Sequence, residues 1–319
     1  MSTTPSSSRP PYTVIGTAGL PPSAQRFEQK VSLVVLGRDS WLFRAGVLED
    51  FYQLGFAEIL CVETAPLKYE PEELLGRFPG LRLLVLQNEV STGEKINLAA
   101  LEIHWPRFLV LWDDQKIPEP GLHTKISKFW QDNTMMLLAP ELRDSDGKEI
   151  PGVLVPSLDG NHLRMLTLPG EEELVETLFT QDFTGLYDRE KFLRSGGFDP
   201  KIREPYWQRA DWGVRCHLWG EAVALGRVFR VDLRTPWVPE DQSARSGSLR
   251  FYAKNLALRF SGDHAVLPWD RFGRFWRQSG STLWACLAEF REVRAWVHSH
   301  RYRFVADAKI LVESWGSSS

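Results

Sequence analysis

The 319-residue sequence has little of what marks several protein classes. Its only cysteines, Cys61, Cys216 and Cys286, form no Cys-x-x-Cys pair, which favours a reducing cytoplasm over a secreted disulfide scaffold. No apolar run approaches the roughly 20 residues that a membrane span needs, and we expect no N-terminal targeting segment. A net charge of −3 lacks the basic excess of a nucleic-acid-binding domain, so no nucleic-acid partner is expected.

The residues that are present describe an ordinary globular chain with one excess. Hydrophobic residues make up 43% and charged residues 25% of the sequence, enough apolar material for a sizeable core. Tryptophan occurs 13 times against seven tyrosines. One group of tryptophans surrounds a polar segment at residues 206–221, and the other lies in the arginine-rich C-terminal region: Trp269, Trp276, Trp284, Trp296 and Trp315. The first group indicates either a sugar-binding surface or a packed core.

Alternating apolar strands and amphipathic helices predict the domain organisation. Residues 1–28 form a Ser/Pro-rich stretch expected to be a disordered tail. Residues 29–260 alternate strand and helix, as in a parallel α/β sheet, with a β-hairpin excursion expected between Arg143 and Glu173. Residues 261–319 are rich in Arg and Trp, and the whole sequence beyond Leu249 is predicted to be helical.

Two places carry residues suited to chemistry. Asp113 and Asp114 follow a buried strand, where an α/β sheet binds its ligands, and such carboxylates can share Mg²⁺ or Mn²⁺ with a diphosphate. A solvated strand end is the equally open alternative. Asp211 lies on a probable helix among Trp207, Trp212 and Trp219, which suits either a general base in an aromatic pocket or a well-packed amphipathic helix.

Five segments follow one another in a distinctive order between residues 30 and 260. They are the strand VSLVVLGRD, a second strand ending at Glu63, the helical segment GEKINLA, the strand end Asp113-Asp114-Gln115, and TGLYDREKFLRSGGFDP followed by the helix of Asp211. In this order they resemble the inverting GT-A-fold glycosyltransferases of family 2, which use nucleotide-diphosphate sugars. The resemblance implies a mainly parallel, Rossmann-like sheet flanked by helices, with a nucleotide-sugar half at 29–120 and an acceptor half at 121–260.

The resemblance also implies an activity and roles for particular residues. The expected reaction moves a hexose from a nucleotide-diphosphate sugar to a carbohydrate or lipid-linked acceptor, in polysaccharide or glycoconjugate synthesis. Asp211 is the expected base, and Asp113 and Asp114 are the expected ligands of Mg²⁺ or Mn²⁺. Further residues are expected to bind the nucleotide sugar, namely Arg38, Glu63, Lys95, Asn97, Asp113 and Arg250, or to lie on the acceptor side, namely Asp199, Trp207 and Trp212.

Two departures from the family pattern leave alternatives open. Gln115 stands where an acidic metal ligand is expected, and Gln208-Arg209 stands where an acidic pair is expected. Without a cation, the basic residues Arg245, Arg250 and Lys254 are the candidates to contact diphosphate. A protein that binds nucleotide or carbohydrate without turnover is the alternative function.

The C-terminal arginines and tryptophans admit three interpretations. They suit an amphipathic segment on the anionic inner face of a membrane, a helical appendage packed on the catalytic domain, or a homodimer contact.

Overall fold

The computed structural model describes residues 9–17, 31–38, 44–118, 121–159, 162–168, 172–243 and 246–315. The strands and helices of these residues are, in chain order, β1 (Tyr12–Ile15), β2 (Val31–Leu36), α1 (Arg44–Gln53), β3 (Glu58–Thr64), α2 (Pro71–Arg77), β4 (Leu81–Leu86), α3 (Thr92–Glu102), β5 (Arg107–Trp112), β6 (Gln115–Lys116), α4 (Leu122–Asp132), β7 (Leu137–Arg143), β8 (Glu149–Ile150), β9 (Val153–Asp159), β10 (His162–Leu168), β11 (Leu174–Glu176), β12 (Gly185–Asp188), α5 (Arg189–Arg194), α6 (Pro205–Leu218), β13 (Val223–Leu233), α7 (Ser246–Phe251), β14 (Arg259–Ser261), β15 (His264–Val266), α8 (Phe272–Ser279), α9 (Leu283–His300) and α10 (Ala308–Ser314).

A mixed, mostly parallel sheet forms the centre of the molecule. Its strands lie in the order β1-β4-β3-β2-β5-β12-β7-β13-β11, with β6 paired to β13 and β8 to β7. Strands β4, β3, β2 and β5 are parallel, whereas β12 runs antiparallel between β5 and β7. Helices cover both faces, and the predicted α/β fold class is confirmed.

The strand sequences explain why the sheet is buried on both faces. All six residues of β2 and all six of β4 are buried, as expected for continuous Val- and Leu-rich runs between two helical layers. Leu36 at the end of β2 pairs in register with Trp112 at the end of β5. The chain segments that leave these two strands therefore emerge side by side at one edge of the sheet.

Two segments differ from the prediction, and one agrees. The expectation of a disordered tail is wrong for Tyr12–Ile15, which form β1 antiparallel to β4 because Tyr12 and Val14 pack on the core and the Tyr12 hydroxyl donates to Glu102 at 2.8 Å. The all-helical C-terminal region is interrupted by the β14–β15 hairpin, whose turn uses Gly262 at a positive φ of 68°. The predicted hairpin excursion is confirmed as β9 paired with β10.

The C-terminal helices pack on the sheet domain. The inner side chains of α8 and α9, Phe275, Phe290, Val293 and Val297, share one core with residues of α6. Other side chains remain outside that core, since Trp276 is 42% and Trp284 77% exposed. Within the described ranges, no helix has both the length and the apolarity to cross a bilayer.

Candidate functional site

A cavity of about 370 Å³ lies where β2 and β5 end. One wall carries Arg38, which follows β2, Asp114, which follows β5, and Asp182, which precedes β12. The segment after β13 also contributes to the lining, with Thr235, Pro236, Trp237, Val238 and Glu240. The position agrees with the rule that α/β sheets bind ligands beyond the carboxyl ends of their parallel strands.

Arg38 is the central basic group of the cavity. Its guanidinium lies 4.1 Å from the ring centroid of Trp112, and its Nε donates to Oδ1 of Asp114 at 3.1 Å. A second guanidinium nitrogen pairs with the carboxylate of Asp182. Arg38 therefore bridges two carboxylates that reach the cavity from different strands, while its own side chain stays 36% exposed.

Asp182 is held in an uncommon backbone conformation. Its φ is 54° and that of the next residue, Phe183, is 60°, both in the left-handed region that non-glycine residues seldom adopt. The indole Nε1 of Trp112 donates to the Asp182 carbonyl at 2.7 Å and helps to hold this turn. Burial and, to a lesser extent, the nearby Asp114 carboxylate raise the pKa of Asp182 to about 6, although Arg38 and Arg209 oppose the shift.

The strand end Asp113-Asp114-Gln115 divides its side chains between the core and the cavity. Asp113 is 1% exposed, and its Oδ1 accepts the backbone N–H of Arg38 at 3.0 Å. Gln115 is fully buried, where its Oε1 accepts the Trp112 N–H at 3.1 Å and its Nε2 contacts the Thr184 hydroxyl at 2.9 Å. Asp113 and Gln115 thus fix the turn, and Asp114 alone of the three lines the cavity.

The donor atoms fit a divalent ion only in a shared arrangement. Among the described residues, no group of three or more His, Cys, Asp or Glu side chains is placed to hold a metal by itself. Asp114 and Asp182 nevertheless offer two hard carboxylates on one wall of the cavity. This is the number that Mg²⁺ uses when substrate phosphates and water complete its coordination.

Asp211, the expected base, lies in a different place. Its side chain is 0% exposed, its Oδ2 accepts from Lys254 Nζ at 2.7 Å, and its Oδ1 accepts from Asn255 Nδ2 at 2.8 Å. Arg215, one turn along α6, lies 3.6 Å away. Lys254 and Asn255 both belong to the π-helical turn Tyr252–Leu256, so Asp211 fastens this turn to α6. Asp211 is not among the lining residues of the cavity described above.

Asp199 and Arg250 extend this buried network. Asp199 Oδ2 accepts from both Arg250 Nε and Lys254 Nζ at 2.8 Å. Burial alone would raise the pKa of Asp199, but Lys254 and Arg250 outweigh it and hold that pKa well below its ordinary value. Arg250 also donates to Glu292 of α9 at 3.1 Å. The ion pairs therefore join the Gly-Gly-Phe-Asp turn to the C-terminal helices.

Asn97 positions the same turn from the other side. Its Nδ2 donates to the Phe198 carbonyl at 2.8 Å, and its Oδ1 accepts the Phe198 N–H at 2.9 Å. Gly197 has a φ of 63°, and a Cβ there would lie 2.2 Å from Asn97 Oδ1, so only glycine fits. Gln208 on α6 accepts the backbone N–H of Gly93 at the start of α3 at 2.8 Å. Asn97 and Gln208 thus hold α3, the turn and α6 together.

The remaining predicted residues are spread over the molecule. Lys95 pairs with Glu89 at 2.9 Å on the surface, and Glu63 is half-buried at the end of β3. Trp212 is 1% exposed and packs 5.3 Å from Phe198 in the aromatic core. Trp207 is half-buried, and its indole donates to the Ser243 carbonyl at 2.9 Å. Lys254 lies in the buried network, and Arg245 lies outside the described residues.

The cavity contains residues that the sequence did not single out. Asp182, Trp237 and Glu240 come from irregular segments, where no periodicity or spacing marks a side chain that faces a ligand. The only available signal was composition, because both segments combine acids with aromatic residues or proline. Of the predicted residues, Arg38 and Asp114 are brought together at 3.1 Å in the lining of this cavity.

Solved structures of sugar-handling proteins share this architecture. One is GalNAc-T7 with UDP, GalNAc and Mn²⁺, with a TM-score of 0.54 and 12% sequence identity over 87% of this chain and 58% of that chain. The fold is GT-A-like. Another is the 1–349 segment of TarS from S. aureus in complex with UDP-GlcNAc, with a TM-score of 0.51 and 12% identity over 83% of this chain and 71% of that chain.

This chain is similar to these proteins in fold but not closely in sequence. The chain spans less than two thirds of the GalNAc-T7 chain, and identities of 12% establish the fold alone. No family model and no curated protein matches the sequence. The activity therefore rests on the chemistry of the site.

Proposed function

We propose that this chain transfers a sugar, with inversion, from a nucleotide-diphosphate sugar to an acceptor hydroxyl in polysaccharide or glycoconjugate synthesis. The observation that carries the proposal is Arg38 on the cavity wall, stacked on Trp112 and paired with Asp114 at the edge where the parallel strands end. A guanidinium there is suited to diphosphate oxygens, to which it donates paired hydrogen bonds. The GT-A-like fold agrees with this use.

Each cavity residue has a proposed role in holding the donor. Arg38 contacts the diphosphate, and Trp237 offers an aromatic surface for the nucleoside or the sugar. Asp114 and Asp182 are the residues that would hold Mg²⁺ or Mn²⁺. When bound, such an ion supplies positive charge that stabilises the leaving diphosphate. Glu63, half-buried at the end of β3, stays a proposed neighbour of the nucleoside.

Nucleotide binding tests the proposal most simply. UDP, GDP and dTDP are titrated into the protein by calorimetry, with Mn²⁺ and with EDTA, and the corresponding nucleotide sugars are then assayed for hydrolysis. We expect one nucleoside diphosphate to bind and its sugar conjugate to be turned over. The absence of binding by all three, under both conditions, would contradict the proposal.

Binding without turnover is the second candidate function. It is favoured because the candidate catalytic carboxylates already have partners or are inaccessible: Asp114 and Asp182 pair with Arg38, and Asp211 is fully buried. A nucleotide that binds tightly while no nucleotide sugar is hydrolysed or transferred would support this function over catalysis.

We also propose that the exposed part of the C-terminal helices contacts an anionic membrane surface. The exposed residues of α8 and α9 include Trp276, Arg277, Leu283, Trp284 and Arg291. Aromatic and cationic side chains in combination suit the headgroup region. Co-sedimentation with vesicles of anionic lipid, compared with zwitterionic vesicles, tests this. Equal recovery in both pellets, or a stable homodimer in sedimentation, would favour the other interpretations of this region.

A further inference from the structure

Glu240 lies on the wall of two cavities at once. The first is the 370 Å³ cavity of Arg38 and Asp114. The second has a volume of about 460 Å³ and is lined by Arg203, Glu204, Pro205, Tyr206, Glu240 and Asp241. Among the residues that the structure describes, Glu240 is the one common to both linings. A base that takes the proton of an acceptor hydroxyl, while that oxygen attacks the sugar donor, must lie where the donor site and the acceptor site meet.

A buried arginine fixes the position of the Glu240 carboxylate. Arg209 on α6 is 1% exposed and forms an ion pair with Glu240. Arg209 itself is held by donation to the Thr180 carbonyl at 2.7 Å, and its guanidinium lies 5.3 Å from the ring centroid of Phe183. Because Arg209 is anchored on several sides, the carboxylate that pairs with it is oriented as well. A base oriented by a third group is the usual arrangement in catalytic sites.

Accessibility separates Glu240 from the other carboxylate considered as a base. The Glu240 side chain is 29% exposed, whereas that of Asp211 is 0% exposed with both oxygens occupied by Lys254 and Asn255. Proton abstraction needs a carboxylate oxygen within hydrogen-bond reach of the substrate hydroxyl. Because Glu240 is partly exposed on both cavities, a hydroxyl bound there could approach its carboxylate without a rearrangement of the core.

The second cavity favours an uncharged, hydroxyl-rich ligand. Among the described residues, three carboxylates line this cavity, those of Glu204, Glu240 and Asp241, against the guanidinium of Arg203 in the lining and that of Arg209, which pairs with Glu240. Oε2 of Glu204 is buried and has no hydrogen-bond partner among the described residues. Carboxylate oxygens accept hydrogen bonds from sugar hydroxyls, whereas a phosphate or carboxylate on the ligand would be repelled. The volume lies in the range of small-molecule sites.

We propose that Glu240 is the general base of the transfer and that the second cavity binds the acceptor as an uncharged carbohydrate. The inference rests on the proposed glycosyltransferase function. Glu240 takes the proton of an acceptor hydroxyl as that oxygen bonds to the anomeric carbon of the donor. The bond from this carbon to the diphosphate oxygen breaks, its electron pair leaves with the nucleoside diphosphate, and the anomeric configuration inverts.

The variant Glu240→Gln tests the base, with Glu149→Gln as the matched control. Glu149 is an exposed acid on β8 whose partner is Arg227, outside both cavities. Wild-type and variant proteins are compared in nucleoside diphosphate affinity, thermal stability, and kcat for nucleotide-sugar hydrolysis and transfer as a function of pH. We expect Glu240→Gln to lower kcat at least about 100-fold, to keep the Kd for the nucleotide within about threefold, and to lose the acidic limb of the pH profile. Glu149→Gln should match the wild type.

The outcomes separate this inference from the function on which it rests. A Glu240→Gln protein that keeps its kcat within about threefold overturns the base assignment while the transferase function stands. Wild-type protein that binds a nucleotide without any turnover also overturns it. Wild-type protein that binds none of UDP, GDP and dTDP removes the underlying function instead. Methyl glycosides of glucose, galactose and N-acetylglucosamine should act as acceptors in preference to the corresponding sugar 6-phosphates, and the reverse preference overturns the acceptor class.

Discussion

The substitution Asp211→Asn distinguishes a structural role from a catalytic role for this carboxylate. Asp211 bonds to Lys254 Nζ at 2.7 Å and to Asn255 Nδ2 at 2.8 Å in a fully buried setting. Removing one member of a buried ion pair costs about 3–5 kcal/mol, because the other charge stays buried without its partner. In the variant, Lys254 would still pair with Asp199 at 2.8 Å. The expected loss of unfolding free energy is therefore at the lower end of this range, about 3 kcal/mol.

Equilibrium unfolding in urea measures this loss, and a thermal scan provides a second readout. For a chain of this size, about 3 kcal/mol corresponds to a fall in Tm of about 4–5 °C. Asp270→Asn is the matched control because Asp270 pairs with Arg259 at a similar distance, 2.7 Å, but both side chains are 56% exposed. An exposed pair contributes about 0–1 kcal/mol, so the control should change little.

Equal effects of Asp211→Asn and Asp270→Asn on stability would contradict the structural role of Asp211. An Asp211→Asn protein with wild-type unfolding free energy and no transferase activity would return Asp211 to the role of base. It would also show that Lys254 and Asn255 contribute little to holding α6 against the C-terminal region.

Three further predictions concern the core, the pH dependence and the donor cavity. Gly213→Ala should destabilise the protein by about 3 kcal/mol in urea unfolding, because the new Cβ would lie 2.2 Å from the Leu178 carbonyl oxygen. The control Gly46→Ala places no atom within 4 Å of its new Cβ and should stabilise the protein by about 0.5–1 kcal/mol, so equal effects of the two substitutions would contradict the prediction. The lowered pKa of Asp199 stabilises the folded state at pH values above its ordinary pKa of about 4, and this contribution declines as the pH falls toward the lower folded pKa. The dependence of the unfolding free energy on pH between pH 5 and pH 3 should therefore be weaker in Asp199→Asn than in the wild type. An unchanged pH dependence would contradict the stabilising role of the ion pairs of Asp199 with Lys254 and Arg250. Arg38→Ala should weaken nucleoside diphosphate binding about 10- to 100-fold in calorimetry, since a charge-assisted hydrogen bond is worth about 1.5–3 kcal/mol, and unchanged affinity would place the diphosphate elsewhere.

The sheet and one edge of the site could be predicted because their signals are local. Strands β2 and β5 are continuous apolar runs, and Asp114 follows directly at a strand end. The position of Arg38 just after β2 placed it at the same edge, where the structure finds it bonded to Asp114. Local sequence is sufficient here, because strand direction alone brings the two residues together.

The rest of the site depends on contacts between distant segments. Asp211 is 43 residues from Lys254 along the chain, so nothing in the segment around Asp211 indicates that its carboxylate is neutralised in the core. The tryptophan excess was ambiguous for the same reason, and Trp212 proves to be a core residue at 1% exposure. Glu240 and Trp237 lie in an irregular segment, where side-chain direction is set by tertiary packing and not by a period.

The proposed function requires a nucleotide-diphosphate sugar to bind in the cavity at the ends of β2 and β5. A crystal structure of the protein soaked with the nucleoside diphosphate that binds, together with Mn²⁺, tests this most directly. We predict that the diphosphate lies against Arg38, with the ion at Asp114 and Asp182 and the nucleoside near Trp237. A nucleotide bound at another surface, with this cavity unchanged, would contradict the claim.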